Sequence, residues 1–130
     1  MSTRYYLSKT LPGAGFDATV AAAIEALGAE GFGVLSDIDV GATIKAKLGT
    51  EFRPYRILGA CNPKFAHKAL SAEDKIGVML PCNIIVQSVD DGVEVAAVNP
   101  VVAMARVDNP VLAPLAEEVR DILQRVIDAV

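Results

Sequence analysis

Two dipeptides hold the residue types best suited to chemistry: Cys61-Asn62, followed by Pro63, and Cys82-Asn83, preceded by Pro81. They contain the only two cysteines of the chain, and the single histidine, His67, lies between them. A thiol can serve as nucleophile, redox group or soft metal ligand, and nearby cations favour its thiolate. Cations are at hand. Lys45, Lys47, Arg53, Arg56, Lys64 and Lys68 face Glu51 as the sole acid of that stretch, in a chain whose net charge is −4.

Three chemistries compete for these residues. Cys61, His67 and Cys82 offer two sulfurs and an imidazole to zinc or copper, but five and then fourteen residues separate them, unlike the close Cys pairs of closed zinc sites. A reactive thiol at Cys61 or Cys82 would support a thiol-dependent enzyme or a sulfur carrier, although the sequence has no Cys-x-x-Cys and no evident partner base. A small anion would suit Arg53, Arg56 and Lys64, helped by backbone donors where a helix starts after Asn62. Each has a plain counterpart: buried thiols acting as small hydrophobes, a surface histidine, a solvated charged face. Gly13-Ala14-Gly15 lacks both the third glycine of a dinucleotide fingerprint and the Gly-Lys-Ser/Thr ending of a phosphate loop. The acid pairs Asp37/Asp39, Glu73/Asp74 and Asp90/Asp91 read as strand-edge and turn residues.

The elements that must position these groups follow from periodicity. Arg4 to Leu11 predicts a strand ended by Pro12-Gly13, then a helix over 17–30 with Asp17 as N-cap and Gly31 as stop. Phe32 to Val40 alternates as a second strand, with Phe32, Val34, Ser36 and Ile38 on one side. Gly41 to Leu48 fits a short helix ended by Gly49, and Pro54 to Cys61 a third strand. Asn62-Pro63 then opens a short helix running to about Ser71. Its apolar side holds Phe65, Ala66, Ala69 and Leu70, opposite Lys64, His67 and Lys68. Ile76 to Val89 predicts one long strand kinked at Pro81. Asp90-Asp91-Gly92 marks a hairpin in which Gly92 takes positive φ, and Val93 to Val98 returns. A connector from Asn99 to Asp108 holds at most one helical turn. Pro110 opens the final helix, with Leu112, Leu115, Val119, Ile122, Leu123, Val126 and Ile127 at 3–4 spacing.

This order predicts an α+β fold, a mostly antiparallel sheet with two long helices on one face, spanning residues 1–130 as a single domain. No internal repeat or linker divides the chain. Strands 76–89 and 93–98 carry apolar residues at both parities, more than a sheet with one wet face needs, so a homodimer is expected to cover the other face. With 52% hydrophobic and 22% charged residues, the sequence is neither disordered nor a membrane span. The acidic balance argues against nucleic acid, and the start Met1 to Ser8 lacks an export signal, which places the protein in the cytoplasm with reduced thiols.

The run Glu51-Phe52-Arg53-Pro54-Tyr55-Arg56-Ile57-Leu58-Gly59-Ala60-Cys61-Asn62-Pro63, with Ala69-Leu70 and Leu80-Pro81-Cys82-Asn83, resembles the family catalogued as domain of unknown function 302. Gly31-Phe32-Gly33-Val34-Leu35 and Ile38-Asp39-Val40 extend the likeness over nearly the whole chain. The resemblance implies a β-α-β4-α arrangement similar to that of the TATA-binding protein, and it implies no activity, cofactor or catalytic residue. The expectation is therefore a non-enzymatic cytoplasmic homodimer binding a small anion or metal at a sheet edge with Arg53, Arg56, Cys61, Asn62, Lys64, His67, Cys82 and Asn83. A thiol enzyme is the first alternative and a pure interaction module the second.

Overall fold

Runs of β-branched and aromatic residues form strands β1 (Tyr6–Pro12), β2 (Gly33–Asp39), β3 (Tyr55–Cys61), β4 (Cys82–Val89) and β5 (Gly92–Val98). Helices α1 (Phe16–Ala29), α2 (Val40–Leu48), α3 (Pro63–Ala72), α4 (Pro100–Ala103) and α5 (Leu112–Ala129) connect or follow them, with a 3-10 turn at Asp74–Met79. The structure is a computed structural model that describes residues 4–130, so the reading of Met1-Ser2-Thr3 lies outside the described residues. Without the short helices the order is β-α-β4-α. The strands form one sheet in the order β1-β5-β4-β3-β2, antiparallel at every junction.

The two long helices, α1 and α5, pack on one face of this sheet. Leu27 of α1 and Leu123 and Ile127 of α5 are fully buried with Leu58, Ile84, Val86 and Val95 of the strands. Each large side chain removed from water in this way contributes about 1.5–3 kcal/mol. The spacing read along α5 is the spacing it buries: Leu112, Ala116, Val119, Leu123, Val126 and Ile127. Lys9 of β1 reaches the far end of that helix and donates to the carbonyls of Asp128 and Val130 at 3.0 and 2.9 Å. A cation thus meets the negative pole of the dipole.

Local signals place most boundaries. Gly31 at φ +83° and Gly49 at φ +68° adopt the left-handed conformation that stops α1 and α2. Asp39 caps α2, its carboxylate accepting from the Ala42 amide at 2.9 Å. Asp17, expected as an N-cap, instead lies inside α1, which begins at Phe16 behind Gly15 without a side-chain cap.

Three expectations are corrected. The long strand over 76–89 is only β4, and its first part is the 3-10 turn, where Ile76 packs with Ala69 and Leu112 while Val78 stays exposed. Pro81 cannot donate to a ladder, and neighbouring β3 has only seven residues to pair. The single alternation over β2 breaks at a bulge: Val34 lies opposite Ala60, but Ser36 lies opposite Gly59, which returns to the other face. Gly92 does not take positive φ. Its smallness is needed because a Cβ would sit 2.1 Å from the Leu11 carbonyl oxygen, where β1 crosses.

Candidate functional site

The chain leaves the sheet at Cys61, turns through Asn62 and enters α3 at Pro63; it rejoins the sheet at Cys82. The Asn62 carboxamide oxygen accepts from the Lys64 amide at 3.1 Å, capping α3, and its nitrogen lies over Gly31, where a Cβ would come within 3.2 Å. Because β3 and β4 are antiparallel, the end of one meets the start of the other, and Ala60 pairs with Cys82. The Cys61-Asn62 turn and the Cys82-Asn83 start of β4 therefore sit together at one end of the sheet.

Both cysteines are free, partly buried, and line one cavity of about 50 Å³. Phe32, Phe65, Met104, Leu115 and Val119 complete much of its wall, which is almost wholly carbon and sulfur. That volume exceeds the roughly 10–15 Å³ needed for one water, but the wall offers water almost no hydrogen-bond partner. Burial pushes the Cys82 thiol up to about 11, and the nearby Cys61 adds to the effect. At neutral pH burial therefore keeps the Cys82 thiol uncharged.

The other expected site residues disperse. Arg56 stands five residues back along β3, about 17 Å from Cys61 at strand rise, and forms a two-point ion pair with Asp37 at 2.7 and 2.5 Å. That pair raises the guanidinium pKa and holds the Asp37 carboxyl below its usual range, by hydrogen bonding first and charge second. Arg53 donates to Gln87 at 2.9 Å and lies over the rings of Phe52 and Tyr55. Lys45 is held by Glu51. The basic stretch of the sequence is thus spent along an edge rather than gathered at the thiols. Lys64 is exposed on the first turn of α3. His67 and Lys68 line an open groove with Ser71 and Glu118, between α3 and α5. Asn83 is exposed opposite Gly59 on the helix-free face. Among the described residues, no group of three His, Cys, Asp or Glu side chains is placed to hold a metal ion.

Of the eight expected residues, Cys61, Asn62 and Cys82 meet at the cavity. Its larger wall was not anticipated as a site. Phe65, Ala66 and Ala69 were legible as the apolar side of α3, and Leu115 and Val119 as the stripe of α5. Nothing in the sequence pattern joined them to Met104, which comes from an irregular connector.

The family model described as "Domain of unknown function DUF302" matches residues 7–130. Among solved structures, the crystal structure of an uncharacterized conserved protein DUF302 from Bacillus stearothermophilus superposes with a TM-score of 0.89. It is 26% identical, and the alignment covers 96% of this chain and 97% of the other. No curated protein matches the chain. With the family model matching all but the first six residues, the chain belongs to the DUF302 family.

Proposed function

We propose that this is a cytoplasmic binding protein whose cavity at the end of β3 and β4 takes a short alkyl or thioether group, free or at the tip of a larger ligand. The observation that carries this reading is the cavity itself, apolar on nearly every side and walled by two unpaired cysteines. A neutral thiol is polarizable and weakly polar, so Cys61 and Cys82 suit an uncharged occupant. Unpaired thiols also accord with a reducing compartment.

The anion reading has lost its arginines, which lie at the far end of β3 and already have partners. A metal would need a third ligand beside the cysteines, and His67 faces a different groove. For a thiol enzyme the raised pKa of Cys82 runs against nucleophilicity, since the thiolate is the attacking species. The likeness to the TATA-binding protein arrangement is kept as one of element order alone. Glu94 is the only charged side chain that strand register puts on the helix-free face, and the Arg53 guanidinium that reaches over it already bonds Gln87, which is not the basic footprint that phosphates require. Among the described residues, no helix is long and apolar enough to cross a membrane.

Xenon is the direct probe of an apolar cavity of this size. Methyl-detected NMR under xenon pressure should shift Met104, Leu115 and Val119 while leaving methyls of the helix-free face in place. Ala116→Leu, which fills the cavity, should abolish those shifts. Absence of shifts in the unmodified protein, or shifts unchanged by Ala116→Leu, would remove the proposal.

A further inference from the structure

The face of the sheet turned away from α1 and α5 has no covering element among the described residues. Register sets its side chains in rows that run across the strands. The middle row reads Ser8, Ala96, Ile85, Ile57 and Ile38, from β1 through β5, β4 and β3 to β2. Ile85 stands at the centre, on the middle strand of five. The row above it holds Thr10, Glu94, Gln87 and Tyr55. A sheet with one wet face ordinarily alternates apolar inward and polar outward residues. Here the outward positions are mostly uncharged, and Glu94 alone is ionised.

Glu94 is also the end of a chain of polar contacts. Arg53 Nε donates to the Gln87 side-chain Oε1 at 2.9 Å, and Gln87 Nε2 donates to the Glu94 carboxylate at 2.8 Å. The cation lies on the β3 side of the central strand and the anion on the β5 side, at one level along the strands.

We propose that this face is the interface of a homodimer, with the two-fold axis running along β4 through Ile85. Such an axis exchanges the β3 and β5 sides. Ile85 then meets Ile85 of the partner subunit, and Ile57 lies over Ala96 of the partner subunit. Arg53 and the Tyr55 hydroxyl come over Glu94 of the partner subunit, and the same contacts recur on the other side of the axis. The one carboxylate that the interface buries thereby gains a cation and a donor, as buried charge requires. An isologous contact must be self-complementary, and this distribution of charge and bulk is.

The size is adequate. Five strands about 4.8 Å apart and seven residues long at about 3.3 Å each give a face of roughly 550 Å². Two copies bury about 1,100 Å² before side-chain relief is counted, near the lower bound of stable interfaces at about 1,200 Å². Sheets packed face to face keep their strands within about 30° of parallel, which an axis along β4 allows. The inference is independent of the cavity, which opens at another part of the fold.

Light scattering on the purified chain at micromolar concentration tests it. The expected mass is that of two 13.7 kDa chains. Ile85→Lys should give a monomer with an unchanged circular dichroism spectrum. Charge reversal checks the axis without depending on the core: Arg53→Glu and Glu94→Lys should each weaken association at least about tenfold, and the double reversal should recover most of that loss. A monomeric native protein, a dimer that persists in Ile85→Lys, or a double reversal no tighter than the single ones would each overturn the proposal.

Discussion

Replacing Cys82 with alanine should change how stability responds to alkaline pH, by an amount the burial of the thiol determines. An ordinary thiol ionises near 9.0, and burial beside Cys61 moves Cys82 to about 11 in the folded chain. Between those values the unfolded chain sheds the proton while the folded chain keeps it. The unfolded state then binds fewer protons, so stability falls as pH rises. Below pH 9 the contribution is fully present; it is lost progressively as pH climbs through 11. At pH 10 the loss is about 1.4 kcal/mol, and well above pH 11 it reaches about 2.7 kcal/mol. Lysines and tyrosines also titrate in this range, so the quantity to read is the gap between the native protein and Cys82→Ala. Urea unfolding followed by far-ultraviolet circular dichroism at pH 7, 9 and 10 supplies it. Alanine loses packing at every pH, which gives the native protein an advantage at pH 7 that should shrink by about 1.4 kcal/mol by pH 10. A gap constant to within about 0.4 kcal/mol over that range would refute the assignment of Cys82 as a buried, neutral thiol.

Three further outcomes follow from the same geometry. Gly59→Ala should cost about 1–3 kcal/mol in urea unfolding, because its Cβ would meet Ser36 Oγ at 2.3 Å and Pro81 Cγ at 2.8 Å; adding Ser36→Gly should recover part of the loss. Asn62→Ala removes the cap of α3 and should lower stability by about 1 kcal/mol, with faster hydrogen exchange in the first turn of that helix as the local readout. Arg56→Ala should cost about 1 kcal/mol, since its pair with Asp37 is two-point but still partly open to water, and should leave the xenon shifts at Met104 unchanged. The small contribution of that pair is present above the ordinary carboxylate value of 3.8 and is lost as pH falls below it, because Arg56 depresses the Asp37 pKa.

Local chemistry was readable wherever one residue decides a local geometry. Asn62-Pro63 announced the start of α3, Gly31 and Gly49 the ends of α1 and α2, and the spacing from Leu112 to Ile127 the buried stripe of α5. The segment before Pro81 was misread because an apolar, β-branched run looks alike whether it pairs or coils. Its fate depended on how many residues β3 could offer it. The bulge between Val34 and Ser36 was hidden for a similar reason, since either parity of β2 looks reasonable until its partner is known.

The candidate site divides along the same line. The sequence by itself placed Cys61 at the end of one strand and Cys82 beside the Pro81 kink of the next, and consecutive strands bring such positions together when they pair antiparallel; that Cys82 begins β4 came from the structure. It also determined the element order and the family likeness. Only the tertiary structure decided which neighbours the thiols have. Charge that clusters over Lys45 to Lys68 in the chain is drawn out along a strand of about 3.3 Å per residue, so Arg53 and Arg56 end far from Cys61 and find Gln87 and Asp37 instead. The cavity gathers Phe32, Phe65, Met104 and Leu115 from four separate segments. No local pattern records such a meeting, because it exists only when α3 and α5 close over the end of the sheet.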